Sequence, residues 1–297
     1  MRDAAGGTQL RNPEESMTRR NAAGDLWERA WEWPVRAFFG GVLAALAVAA
    51  TFAGGFWFAS LIGVAGFAAA REWHRMVSGS HYALETFFTS AAIVVGLLAV
   101  LETHDPALPV AILFAGALLA GMTSALRGVA ATWSGSGALY IGTSALCLVA
   151  LRSDAPYGAW VVVGLLLTIW SADTGAFVTG RLLGGPKFVP LLSPNKTWTG
   201  IVGGMALPAL VFSAYVAILG GSAWRAGILG AVLAITGHSG DLFESWVKRR
   251  VGFKNSGSLI PGHGGVLDRM DSTLFVAPVA AVLVFVFGLD PLFGARP

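Results

Sequence analysis

Charge and cysteine are both scarce in this chain of 297 residues. Only 12% of it is Asp, Glu, Lys or Arg, about half the roughly 25% of a soluble domain, while 55% is hydrophobic. That balance excludes an ordinary soluble globule and predicts an integral membrane protein. The single cysteine, Cys147, excludes a disulfide framework, and its place inside an apolar run makes it a small packing residue. No basic stripe tracks a nucleic-acid backbone. The net charge is +3, and the basic residues gather in particular loops, as anionic head groups and the positive-inside rule favour. Membrane lipids are therefore expected partners and nucleic acid is not. The alternating segments of about ten residues that mark a spanning β-barrel are missing, as is any internal repeat of roughly 20 to 50 residues.

What is present is a series of nine apolar runs, at about 36–54, 56–70, 87–101, 107–122, 137–151, 157–178, 198–220, 225–239 and 272–289. They predict an all-α fold, a polytopic transmembrane helical bundle with about nine membrane-spanning segments. Several fall short of the roughly 20 residues of an ideal span. The 39 glycines and 11 tryptophans fit close helix packing in lipid and anchoring at its interfaces. Residues 1–24 read as a polar tail, and Arg19-Arg20 lacks the apolar stretch of an export signal. The next segment, 25–37, interleaves three tryptophans with charges, as a helix lying in the interface or a solvated lead-in would. The division expected is a tail with interfacial helix over 1–34 and one membrane domain over 35–297. With the N-terminus cytoplasmic, 17 of the 20 basic residues fall on the cytoplasmic side, leaving Arg152, Arg225 and Arg296 opposite. The expected location is a bacterial-type inner (plasma) membrane, with every charged motif on the cytoplasmic face.

A dense charged stretch, 241–271, DLFESWVKRRVGFKNSGSLIPGHGGVLDRMD, lies between two apolar runs and carries nine ionic side chains. In a helix, Asp241, Ser245 and Lys248 stand at i, i+4 and i+7, so a carboxylate, a hydroxyl and an ammonium share a face. After the turn Pro261-Gly262-His263-Gly264-Gly265, Asp268 and Asp271 stand at i, i+3. Carboxylates so placed suit a hard divalent cation. Mg²⁺ is the natural choice, since it takes few carboxylates and shares its remaining positions with water and phosphate.

Asp173, in SADTGAFVTGR, lies near the end of an apolar run, where a carboxylate is costly unless paired, hydrated or bound to metal. A function is the expected reason, and a hydrogen bond to a neighbouring helix is the plainer one. Arg181 follows as a phosphate partner. In GGPKFVPLLSPNKTWTG, Ser193-Pro194 reads as an N-cap and first turn, so a helix is expected to start there with its N–H groups open to phosphate. Glu72-Trp73 reads as an interfacial anchor, with a place in a site as the lesser alternative. His238, His74, His81 and His104 read as interfacial polar residues.

The pattern Ser245, Lys248, Arg249, Lys254, Pro261, His263, Gly264, Gly265, Asp268, Arg269, Asp271 resembles the signature of the phosphatidate cytidylyltransferases, or CDP-diacylglycerol synthases. The segment Asp173-Thr174-Gly175-Ala176 matches a further motif of that family, and Ser193-Pro194, Lys196-Thr197 and Gly200 resemble another. The likeness runs from about residue 40 to 290 and is strong from 171 onward. Two positions depart from it: Asn255 follows Lys254 where the family has Asp, and Thr199 replaces a usual Glu.

The resemblance implies attack by the phosphate of phosphatidate on the α-phosphorus of CTP, giving CDP-diacylglycerol and pyrophosphate. Asp241, Asp268 and Asp271 are then assigned to metal, with Asp173 as a further ligand or orienter. Lys248, Arg249 and Lys196 would neutralise phosphate. Arg181, Ser193, Thr197, Ser245, Lys254, His263, Gly264, Gly265 and Arg269 complete the substrate contacts. A second metal ion and a homodimer stay open. The rival readings are a CTP-dependent lipid alcohol kinase, which releases CDP, and a transporter whose intramembrane Asp carries ions. The matching broken halves of such a transporter are not evident.

Overall fold

A computed structural model describes residues 38–79, 84–103, 105–154, 157–257, 259 and 264–288. The tail and interfacial helix expected before residue 38, together with His81, His104 and His263, lie outside the described residues. Every apolar run of the sequence becomes a helix: α1 Phe38–Ala53, α2 Gly55–Ser78, α3 Leu84–Glu102, α4 Ala107–Leu126, α5 Ala131–Ser153, α6 Gly158–Leu183, α7 Trp198–Ile218, α8 Ala223–Arg250 and α9 Leu267–Phe285. The protein is an all-α, polytopic membrane protein. Among the described residues, α3 to α8 are the 6 helices long and apolar enough to cross a bilayer by length and composition. Helix α1 is too short for that measure, while α2 carries Arg71, Glu72 and Arg75, and α9 carries Asp268, Arg269 and Asp271.

Helix α5 is central, touching α2, α3, α4, α6 and α9. One continuous core runs from Ala50 to Val284, with Ile141, Val149 and Leu151 of α5 almost wholly enclosed. Lipid tails are as apolar as leucine, so burial alone does not bring membrane helices together; close packing through small residues does. At Gly175 of α6 a Cβ would run into the carbonyl of Gly203 on α7, so these two backbones touch only because position 175 has no side chain.

Contacts at the helix ends show an alternating bundle. At one end the Trp73 indole of α2 donates to the Trp133 carbonyl of α5 (2.9 Å), Trp133 lies 6.1 Å from Trp246 of α8, and Arg127, the C-cap of α4, pairs with Glu85 of α3 (2.8 Å). At the other end Arg152 of α5 donates to the Thr51 carbonyl of α1 (2.5 Å), and Tyr215 of α7 to that of Trp160 on α6 (2.8 Å).

Three expectations change. The helix after residue 190 begins at Trp198, because Ser193–Thr197 forms a strand, β2, paired antiparallel with β1, Lys187–Val189. Pro194 gives no ladder N–H and is tolerated in so small an edge ribbon. Thr197, still extended, becomes the N-cap, its Oγ1 accepting from Gly200 N at 3.1 Å. Trp73 is buried, not at an interface: it is 1% exposed, lies on Gly137, and has its N–H satisfied by Trp133. His74 belongs to α2 and is enclosed, with Nε2 3.0 Å from Thr89 Oγ1.

Candidate active site

The charged end of the bundle holds a cleft of about 460 Å³ between α6, β2, the start of α7 and α8, lined by Asp173, Arg181, Lys196, Thr197, His238 and Asp241 among others. The tight α6–α7 contact places Asp173 and Arg181 two turns apart on one wall. The strand β2 then carries Lys196 across to α8, where its Nζ meets Asp241 Oδ2 at 2.5 Å. Lys196 is 19% exposed with its Nζ enclosed, and Asp241 is 34% exposed. The two residues line the cavity as a cation and an anion, the carboxylate being the more open of the pair. Ser245 Oγ stands 3.4 Å from Asp241 Oδ1, a long and weak contact. Thr199, at one of the two departures from the family pattern, bonds to Thr197 Oγ1 (3.0 Å) and donates to the carbonyl of Gly184, tying the start of α7 to the end of α6.

Lys248 does not join the face of Asp241 and Ser245. Its ammonium turns to Asp268 (2.7 Å) and Glu244 (3.1 Å). Asp268 also accepts from Ser256 N (3.1 Å) and Gly265 N (3.0 Å), so both of its oxygens are occupied. Gly264 has φ +86°, a left-handed conformation that glycine adopts without strain. Asp271, one turn beyond Asp268, lies within electrostatic range of Asp241, Asp173 and Lys248. Asp173 is within range of Asp241, Lys196 and Arg269. Arg249, Lys254, Arg181 and Arg269 are exposed around this end, as is Asn255, and the Arg181 guanidinium lies 5.8 Å over the Phe177 ring. Ser193 is half-buried in β2.

Sequence reasoning missed three polar residues here. His238 lines the cleft with Asp241, and its Nε2 is buried without a hydrogen bond among the described residues; its place one turn before Asp241 on α8 was the available signal. Glu244 is fully enclosed and its signal was the i, i+4 spacing to Lys248. Glu72, 2% exposed, accepts from Ser256 Oγ (3.0 Å), Val266 N (3.1 Å) and Leu267 N (2.9 Å). No local signal distinguishes it from an interfacial acid, because its partners lie more than 180 residues away.

Among the described residues no three acidic, histidine or cysteine side chains converge closely enough to hold a metal ion by themselves. Mg²⁺ does not require three: one or two carboxylates with water and substrate phosphate suffice. Asp173, Asp241 and Asp271 fit that role by chemistry, as hard oxygen donors whose negative charges act on one another.

The sequence model described as the cytidylyltransferase family matches residues 34–287, and the chain belongs to that family. Among its relatives, the phosphatidate cytidylyltransferase of Brucella suis is 39% identical over 250 residues, which cover 83% of this chain and 90% of that protein. The phosphatidate cytidylyltransferase of Bacillus subtilis is 38% identical over 152 residues, covering 50% and 56%. That of Staphylococcus haemolyticus is 39% identical over 147 residues, covering 49% and 55%.

Proposed function

We propose that the protein transfers CMP from CTP to phosphatidate, releasing pyrophosphate and leaving CDP-diacylglycerol in the membrane. The observation that carries this reading is the open cleft in which Lys196 faces Asp241, in a chain of the cytidylyltransferase family. Lys196 and Arg181 take the triphosphate and neutralise charge that grows on the departing pyrophosphate. Asp241, with Asp173 and Asp271, would hold Mg²⁺, which when bound draws charge from the phosphate oxygens. A lipid phosphate oxygen forms the new bond to the α-phosphorus, and the bond from that phosphorus to the bridging oxygen breaks, its electron pair leaving with pyrophosphate. The lipid phosphate is already an anionic nucleophile, so no side chain has to attack.

The nine helices are proposed as nine spans, with α2 and α9 placing their charged ends at the head-group level. The 17-to-three split of basic residues supports a cytoplasmic cleft, where soluble CTP is found. The test is purified protein with phosphatidate, Mg²⁺ and labelled CTP. Label in CDP-diacylglycerol, with pyrophosphate released, is the expected result. Release of CDP with a newly phosphorylated lipid alcohol would replace this reading with the kinase.

A further inference from the structure

Glu72 is remote in sequence from the signature segment, yet its carboxylate closes the base of that segment. It accepts from the backbone N–H groups of Val266 and Leu267, the N-cap and first residue of α9, and from the hydroxyl of Ser256. Helix starts leave such N–H groups without partners inside the helix, and a carboxylate there also meets the positive end of the helix dipole. Val266 offers no side-chain cap of its own. One turn along α2, the Arg75 guanidinium donates to the Ser256 carbonyl. Asp268 completes the closure from the other side, through Ser256 N and Gly265 N. The space is filled: a Cβ at Gly265 would collide with Ser256 Oγ and Glu72 Oε2, and one at Gly257 with Glu72 Oε1.

We infer that Glu72 is a positioning residue for the transfer: its buried carboxylate locks residue 256 to the start of α9 and so fixes where α9 presents Asp271 to Asp241. The inference rests on the reaction proposed above. It ascribes to α2 a task in that reaction although α2 contributes no residue to the cleft. Loss of the lock leaves phosphatidate binding alone and disturbs the acid constellation, so it appears in kcat and in the Mg²⁺ requirement rather than in the KM for phosphatidate.

The experiment compares the full-length detergent-solubilised wild type with Glu72→Gln and Ser256→Ala, by turnover, Mg²⁺ titration and amide hydrogen exchange of peptides spanning 254–268. Glu72→Gln keeps the shape but presents an NH₂ to groups that themselves donate. It is expected to lower kcat about tenfold or more, raise the Mg²⁺ concentration for half-maximal rate, leave the KM for phosphatidate unchanged and speed exchange at Ser256 and 265–267. Ser256→Ala removes one of the three bonds and should act in the same direction by about two- to fivefold, a weaker variant that keeps the test decisive if Glu72→Gln does not fold. Wild-type kcat and Mg²⁺ requirement in both variants would overturn the inference, even with a lower melting temperature, since that marks a purely structural acid. Faster exchange in the variants of a protein whose wild type makes no CDP-diacylglycerol would support the lock and refute the reaction.

Discussion

Two groups of carboxylates share the charged end of the bundle and keep different company. Asp241 and Asp173 border the cleft, where Asp241 pairs with Lys196. Asp268 and Glu72 have their oxygens taken by backbone N–H groups, a hydroxyl and an ammonium. An acid whose lone pairs are spent on the protein holds the chain in place. One that faces an open cavity can meet a metal or a phosphate. The signature segment thus mixes two tasks that look identical as letters, and the hydrogen-bond partners separate them.

The largest effect that sharpens this contrast is expected at Asp241. Asp241→Asn should reduce turnover about 10³-fold, the scale of losing a principal electrostatic contact in the transition state, with little change in melting temperature. Asp268→Asn should differ in kind. It leaves Lys248 with a weakened partner in a site only 13% open, and breaking such a pair costs about 3–5 kcal/mol, so thermal stability and activity should fall together. A melting curve beside a rate assay distinguishes the two outcomes. Equal behaviour of the two variants would dissolve the division.

A smaller effect is expected at Asn255. It is exposed while the neighbouring Ser256 N–H makes the contact to Asp268, so Asn255→Asp should change the Mg²⁺ requirement by less than about tenfold, or about 1.4 kcal/mol. Gain of activity by an inactive natural chain on that substitution would instead make position 255 a ligand. The orientation has no effect on rate and is read by labelling. In a Cys147→Ala background, cysteines at the exposed positions Asn255 and Ala223 should react from opposite sides of the membrane, Asn255 from the cytoplasm.

Much of the architecture was legible because an apolar run is a local signal: each of the nine runs became a helix. Their ends were less legible. Helix α8 continues to Arg250, well past the run ending near 239, because Glu244 and Lys248 satisfy each other and let a charged stretch stay helical. The Ser193-Pro194 pair carried an N-cap signal that the hairpin overrode, since Thr197 stands at the residue where extended backbone gives way to helix. In the site, Asp173 stood out by the cost of a carboxylate in an apolar run, Asp241 by its helical spacing to Ser245 and Lys248, and Lys196 by the resemblance of its segment to the family pattern. The contacts of Glu72 were hidden, because long-range folding delivers its partners, whereas Asp268 takes N–H groups that lie close in sequence.

The cleft is the proposed seat of the nucleotide. The most direct measurement is the binding of a non-reactive CTP analogue to solubilised wild type and to Lys196→Ala, at fixed Mg²⁺ and salt. Asp241, 34% exposed, can rehydrate when its partner is removed, so the fold should persist. Affinity lower by about tenfold or more, the scale of a charge-assisted phosphate contact, is the result predicted. Unchanged affinity in a folded Lys196→Ala protein would place CTP elsewhere and contradict the account.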